Sequence, residues 1–283
     1  MSDGLWRVQA GGEVRLARGD PDAGPAELLP APLTIDGLLA EGGDAIDRAL
    51  DGPADGPVPQ RATVLAPLQG QEVWAAGLTF VRSRDARKEE SGTPDHYDLV
   101  YEAERPELFF KAAPGRARGP GEAVGVRRDS TWDVPEPELA VVADAAGRLV
   151  ACTVGNDVSS RSIEGENPLY LPQAKVYRGS CAVGPCLVPR SRLPDLDQMV
   201  VSLSIWRNGS EVFTESMSLS SMRRRPGELL DWLYRGLDFP VGVVLLTGTS
   251  IVPGPDFTLG PGDDVTVAVT GLGRLHNRVE TVG

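Results

Sequence analysis

Histidine is scarce in this sequence, which contains only two among its 283 residues, His96 and His276. A metal centre built from several histidines is therefore excluded, although imidazole is the commonest metal ligand. Cysteine is also scarce, and Cys152, Cys181 and Cys186 form no C-x-x-C or Cys/His zinc pattern. Three cysteines without such a pattern are typical of buried structural thiols in a reducing compartment.

The sequence also has fewer basic than acidic residues and lacks long apolar runs. Forty acidic residues outweigh 28 basic ones, which gives a formal net charge of −12. This charge repels phosphate backbones and anionic lipids, so neither nucleic acid nor a membrane is an expected partner. The N-terminus lacks the basic and apolar parts of a signal peptide, and the best apolar run, 241–246, is far shorter than the ~20 residues of a membrane helix. These features predict a cytoplasmic protein.

Proline, glycine and aspartate mark a division early in the chain. Two stretches rich in these residues, 18–32 and 51–60, flank a modest amphipathic segment. They predict a small N-terminal region, 1–61, joined to a main domain, 62–283. The N-terminal region carries no motif, and we expect it to pack on the main domain or to assist assembly of an oligomer.

The main domain alternates short apolar runs with turn residues, which predicts a mainly β fold of the α+β class. We expect ELAVVAD and RLVACTVG to pair as a hairpin, and 226–237 to form a helix with Leu229, Leu230, Leu233 and Leu237 toward the core. A second, polar helix is predicted over 82–90. The predicted strands are ATVLAPL (62–68), ELAVVAD (138–144), RLVACTVG (148–155), MVVSLSIW (199–206), VGVVLLTG (241–248) and DDVTVAV (263–269).

Two glutamates, Glu136 and Glu138 in PEPEL, stand at the head of an apolar run. Alternate residues of a strand share a face, and two buried carboxylates repel each other unless a cation neutralises them. The hairpin brings Asp157 near them, and three oxygen ligands suit Mg²⁺ or Mn²⁺ better than zinc. On spacing alone, a solvated edge strand explains the pair better, since a second E-x-E, Glu164 and Glu166, shows how common the pattern is.

At NDVSSRSIEGENPLYLPQAKVYRGSCAVGP (156–185) the sequence resembles the fumarylacetoacetate hydrolase superfamily, and most closely its 2-keto-3-deoxy sugar-acid dehydratases. The resemblance covers residues 70–283, through AAGLTFVRSRDARKEE, ERPELFFKA, PEPELAVV and LLTGTSIVPGPDFTLGPGD. It implies a mixed-sheet β-roll or pseudo-barrel that assembles as a homodimer or homotetramer. It also implies one divalent metal, Mg²⁺ or Mn²⁺, on Glu136, Glu138 and Asp157.

The same resemblance implies a catalytic pair and a substrate pocket. Glu107 in ERPELFFK matches the proton-transfer acid of the dehydratases, and Lys175 in LPQAK matches the active-site lysine. Two assignments have equally good alternatives: Glu107 as an exposed strand acid, and Arg161 as a loop tether paired with Glu164 or Glu166. The substrate-binding positions are Thr79, Arg161, Lys175, Gly248 and Thr249.

One departure from the family pattern bears on the reaction. Hydrolases of this superfamily carry a His/Glu dyad in a lid, whereas GLTFVRSRDARKEESGT (77–93) contains no histidine, and His96 follows in a polar loop. This favours elimination, the conversion of a 2-keto-3-deoxypentonate, a small 2-keto acid, to 2,5-dioxopentanoate. The alternatives are C–C hydrolysis of acylpyruvates, decarboxylation of oxaloacetate, and metal binding without turnover. We expect 82–104, with Arg82, Arg84 and Arg87, to form a lid.

Overall fold

The computed structural model describes residues 3–82 and 99–283. The α-helices that lie wholly within these residues are α1 (Ile35–Glu41), α2 (Ala45–Asp51), α3 (Arg161–Glu166), α4 (Leu171–Lys175) and α5 (Pro226–Tyr234). Its strands are β1 (Gly4–Ala10), β2 (Glu13–Gly19), β3 (Glu27–Leu28), β4 (Thr63–Leu65), β5 (Glu72–Gly77), β6 (Glu107–Ala112), β7 (Val124–Arg127), β8 (Asp133–Val134), β9 (Pro137–Ala143), β10 (Leu149–Asp157), β11 (Ser159–Ser160), β12 (Cys181–Pro189), β13 (Val200–Arg207), β14 (Ser210–Ser218), β15 (Val243–Leu246), β16 (Asp264–Val269) and β17 (Gly273–Val282).

Two mixed sheets dominate the described part of the chain. The larger has the order β3-β2-β1-β12-β10-β9-β15-β5-β6, with β4 paired to β1, and the smaller has the order β14-β13-β16-β17-β7. Most pairs are antiparallel, but β15 runs parallel to β5 and β17 parallel to β7. The predicted mainly β class with mixed sheets is confirmed.

The strand β9 lies at the centre of the larger sheet and is apolar because both of its faces are covered. Leu139 and Val141 belong to a core shared with the smaller sheet and α5. Ala140 and Val142 point to the other face, into a core shared with α1 and α2. Alternate side chains of a strand point to opposite faces, so a strand buried on both faces reads as a continuous apolar run.

Each of the six runs predicted as strands overlaps an observed strand, and the predicted hairpin is formed by β9 and β10. Its register places Gly155 opposite Glu138 and Asn156 opposite Pro137. Beyond the last pair, the Asp157 N–H donates to the Glu136 carbonyl at 2.9 Å. The hairpin therefore brings the three acids named in the sequence to one end of two adjacent strands.

The N-terminal region packs on the main domain through sheet pairing and through its two helices. Strand β1 joins β12 with Leu5 opposite Leu187, and it also pairs with β4. The amphipathic segment forms α1 and α2 as separate helices, because Gly42 ends α1 at a φ of 71°. A Cβ at Gly42 would lie 2.5 Å from the Asp144 carboxylate, so only glycine fits there. A domain boundary near residue 62 stays a prediction.

Two expectations about helices need comment. Helix α5 ends at Tyr234, so the prediction that Leu237 faces the core is wrong: its side chain is 39% exposed, whereas Leu233 is 4% exposed. The predicted helix 82–90 and most of the predicted lid, including Arg84 and Arg87, lie outside the described residues; Arg82 forms an ion pair with Glu215. Within the described residues, the helices are all too short or too polar to cross a bilayer.

The end of α5 predicts a contrast between two leucines. Leu233→Ala removes buried methyl groups from the core and should lower the free energy of unfolding by about 2–5 kcal/mol. Leu237→Ala is the matched control and should change it by less than about 0.5 kcal/mol. Urea unfolding of both variants measures the difference, and equal losses would contradict the observed helix end.

Candidate metal and substrate site

Three carboxylates converge where β9 begins and β10 ends. One oxygen from each of Glu136, Glu138 and Asp157 lies within 4.8 Å of the others. Glu136 and Glu138 are only 6% and 1% exposed, and Asp157 is equally buried. The solvated edge strand, which the spacing alone favoured, is therefore excluded. These three residues are called the acid triad below.

Lys175, the last residue of α4, lies against the acid triad. Its ammonium nitrogen is 2.9 Å from Glu136 Oε2 and 3.1 Å from Asp157 Oδ2, and it donates to Ser159 Oγ at 2.6 Å. The side chain is almost fully buried, so these partners replace water around the charge. Such burial is unusual, because most lysine side chains lie at the protein surface.

Arg161, at the start of α3, contacts both the acid triad and its own helix. Its Nη1 lies 3.1 Å from Glu136 Oε1 and 3.5 Å from Glu164 Oε2. Of the two tether partners suggested by the sequence, Glu164 is buried beside it, whereas Glu166 is exposed. Arg161 is thus paired with a triad carboxylate and with a loop acid at the same time.

A second buried lysine was missed in the sequence. Lys111, in β6, forms an ion pair with Asp157 Oδ1 and donates to the carbonyls of Val158, at 3.1 Å, and of Lys175. The available signal was its setting in ELFFKA, a lysine inside an apolar strand. A lysine is rarely fully buried unless it is paired, so this setting indicates an acidic partner.

The electrostatics of this cluster fit a divalent cation. Burial, and then the charges of Asp157 and Glu136, raise the pKa of Glu138 well above its ordinary range. Four buried acids, the triad and Glu164, contact or adjoin three buried cations, Lys111, Lys175 and Arg161. The triad carboxylates repel one another when all three are ionised. An oxygen-only donor set of mutually repelling carboxylates suits a hard cation such as Mg²⁺ or Mn²⁺.

A cavity opens onto the acid triad. Glu107 reaches it across Gly77, its partner in the β5–β6 register, because a Cβ at Gly77 would lie 2.0 Å from Glu107 Oε2. A side chain at position 77 would displace the Glu107 carboxylate from this place. The cavity is lined by Ala76, Gly77, Leu78, Glu107, Phe109, Glu136, Asp157, Arg161, Glu164, Lys175, Gly248, Thr249 and Val252.

The loop after β15 supplies another wall of the cavity. The Gly248 N–H donates to Glu138 Oε2, and its φ of 89° is one that favours glycine. Thr249 lines the cavity, while its hydroxyl accepts from the Ile251 N–H at 3.0 Å. Thr79 lies behind Gly248 and donates to the Thr247 carbonyl at 2.7 Å. Thr79 is therefore placed to shape this wall, and its contact with substrate stays a prediction.

Neither histidine is found among the described residues of this site. His276, in β17, is about half exposed and lies 3.3 Å from Asp264. His96 lies outside the described residues. The described walls of the cavity contain no histidine, in keeping with the oxygen-only donor set.

A buried three-carboxylate centre that opens into a cavity, on a mixed-sheet β body, defines a class of protein with a divalent-metal site for small ligands. Residues 73–280 match the model of the fumarylacetoacetate hydrolase C-terminal domain, and the chain belongs to that family. The resemblance inferred from the sequence is confirmed.

Relatives of known description lie within the same family. The chain is 48% identical over 244 residues to a probable 2-keto-3-deoxyxylonate dehydratase of Haloferax volcanii, covering 86% of this chain and 81% of the relative. It is 42% identical over 221 residues to 2-dehydro-3-deoxy-D-arabinonate dehydratase of Saccharolobus solfataricus, covering 77% and 74%. A solved structure of 2-keto-3-deoxy-D-arabinonate dehydratase, complexed with magnesium and 2,5-dioxopentanoate, superposes with a TM-score of 0.85 at 33% identity, covering 98% of this chain and 99% of that one.

If the acid triad binds the metal, replacing one of its carboxylates by an uncharged amide should weaken metal binding strongly. Glu138→Gln removes a charged ligand and should weaken Mn²⁺ binding by roughly 100-fold, at the upper end of losses seen when residues supporting a metal are replaced. Glu166→Gln, in the exposed second E-x-E, is the control and should bind normally. Titration calorimetry with Mn²⁺ measures both, and wild-type affinity in Glu138→Gln would rule out the triad as the metal site.

Proposed function

We propose that this chain is a divalent-metal-dependent dehydratase that converts a 2-keto-3-deoxypentonate to 2,5-dioxopentanoate. The observation that carries the proposal is the meeting of the acid triad, Lys175 and Glu107 in one cavity. The described relatives support it, since two bear names of dehydratases of this class and a third was solved with magnesium and 2,5-dioxopentanoate.

Glu136, Glu138 and Asp157 would hold Mg²⁺ or Mn²⁺ in this proposal. When bound, the ion supplies Lewis acidity to the carboxylate and keto oxygens of a 2-keto acid, which makes the C3 proton more acidic. The triad positions that centre at the inner end of the cavity. Low exposure of the three carboxylates keeps water from competing with substrate and strengthens every charge interaction there.

Lys175 acts as a hydrogen-bond donor in this scheme. Its ammonium already meets Glu136, Asp157 and Ser159, all of which are acceptors. Such a group donates well to negative charge developing on a substrate oxygen and is poorly placed to accept a proton. Arg161 and the wall formed by Gly248 and Thr249 orient the substrate within the same cavity.

Glu107 transfers the protons. It faces the cavity across Gly77, on a different strand from the triad. Removal of the C3 proton and departure of the C4 hydroxyl as water leave a C3=C4 double bond, and tautomerisation then forms the C5 aldehyde. A carboxyl group that takes the proton from C3 can return one to the leaving hydroxyl, so one residue serves both steps.

The oligomer and the compartment belong to the same proposal. A homodimer or homotetramer follows from the family resemblance. The buried cysteines, Cys152, Cys181 and Cys186, are free thiols in the structure, which supports a reducing cytoplasmic compartment.

The proposed reaction requires metal and releases a semialdehyde. Protein with Mg²⁺ should convert 2-keto-3-deoxypentonates to 2,5-dioxopentanoate, and excess chelator should abolish the product because the triad then holds no Lewis acid. Aldehyde-specific derivatisation measures the product. Acylpyruvates serve as the comparison substrates. Release of pyruvate from these, without semialdehyde from pentonates, would assign C–C hydrolysis instead, and no turnover of either with Mg²⁺ bound would indicate a binding protein.

The role of Glu107 predicts loss of turnover without loss of metal. Glu107→Gln keeps the side-chain volume but cannot transfer protons, so kcat should fall by roughly 10²–10⁴-fold. Mn²⁺ affinity should stay unchanged because Glu107 is not in the triad. Glu104→Gln, an exposed acid three residues earlier, is the control. Dehydration at the wild-type rate in Glu107→Gln would remove this assignment.

A further inference from the structure

Lys111 is a buried cation behind the catalytic cavity, and the proposed reaction gives it no step. It is 1% exposed, and it is absent from the described residues that line the cavity. A lysine held this deep requires partners for its charge, since an unpaired buried ammonium is strongly unfavourable. Its three partners all belong to segments that form the site.

The partners of Lys111 join parts of the chain that are far apart in sequence. Its ammonium reaches from β6 to Asp157 Oδ1 at the end of β10, to the Val158 carbonyl at 3.1 Å, and to the Lys175 carbonyl at the end of α4. Ser180 Oγ donates to the same Lys175 carbonyl at 2.8 Å. The backbone that carries Lys175 is thus held from two sides.

The orientations of Asp157 and Lys175 both depend on these contacts of Lys111. Lys111 forms an ion pair with Oδ1 of Asp157, while Lys175 donates to Oδ2 at 3.1 Å, so an ammonium group lies beside each oxygen of this carboxylate. Helix α4 has five residues, too few to be rigid alone, and its last residue is Lys175. Fixing the Lys175 carbonyl fixes the point from which its side chain extends.

We propose that Lys111 is a positioning residue, which orients the third metal ligand, Asp157, and the donor Lys175 at the same time; this rests on the metal site of the proposed function. Residues that support metal ligands typically change metal affinity or activity by about 10–100-fold when they are replaced. Lys111 would act through Asp157 and Lys175 and would not touch substrate.

Charge and position predict opposite effects on metal binding, which makes the proposal testable. If Lys111 acted only as a nearby positive charge, its removal would strengthen attraction of the triad for a divalent cation. If it positions Asp157, its removal leaves the carboxylate restrained from one side only, and metal binding weakens. The sign of the change in Mn²⁺ affinity therefore separates the two roles.

The experiment compares Lys111→Met and Lys111→Gln with Arg18→Met in full-length protein. Arg18 is a matched control because it also bonds two backbone carbonyls, of Leu50 and Gly52, and one carboxylate, Glu27, but lies in the N-terminal region. Circular dichroism checks folding, titration calorimetry gives the Mn²⁺ dissociation constant, and steady-state assays give kcat and KM. Gln keeps N–H donors for the carbonyls but lacks the charge.

We expect Lys111→Met to raise the Mn²⁺ dissociation constant by roughly tenfold, and to lower kcat at saturating Mn²⁺ by roughly 100-fold with a smaller change in KM. Lys111→Gln should lie between Lys111→Met and wild type, and Arg18→Met should match wild type in both binding and turnover. Unchanged or tighter Mn²⁺ binding in Lys111→Met would overturn the proposal, whatever happens to kcat.

Two further outcomes are also decisive. If neither Lys111 variant folds while Arg18→Met does, Lys111 is a structural residue and the positioning role is overturned. If wild-type protein binds no Mn²⁺, the proposed metal site itself fails, which is distinct from a failure of Lys111 alone.

Discussion

The structure of the site depends on burying four acids and three cations in one cluster at the end of the β9–β10 hairpin. Removing such charges from water is costly, and their mutual attraction offsets the cost only when each finds well-placed partners. Here Lys175 and Lys111 divide the two oxygens of Asp157, and Lys175 and Arg161 divide those of Glu136. The positions of these five side chains are therefore mutually dependent.

The apolar sheets impose this dependence. Strand β9 is covered on both faces, so its end lies deep in the protein, where the effective dielectric is low. Water does not solvate a charge at this depth, so each carboxylate pairs with the charged and polar groups that the fold places beside it. The same covering that stabilises the sheet thus gives the acid triad its strong electrostatic field.

Much of the site was predictable from local sequence, and the rest depends on contacts between distant segments. The hairpin followed from two β-branched runs joined by a short turn, and it brought Asp157 to Glu136 and Glu138 as expected. Lys111 was missed because lysine is usually exposed, and only its contacts with Asp157 and Lys175 explain its burial. The end of α5 was misplaced because helical spacing of leucines continues past the last helical residue.

The placement of Glu107 also depends on contacts between segments that are distant in sequence. Its sequence allowed an exposed strand acid or a cavity residue, and only the β5–β6 register, which sets it opposite Gly77, decides between them. Pairing of strands separated by some thirty residues is not encoded in either strand alone. The role of Gly77 is evident only once the register is known, because Glu107 occupies the space that a side chain at position 77 would fill.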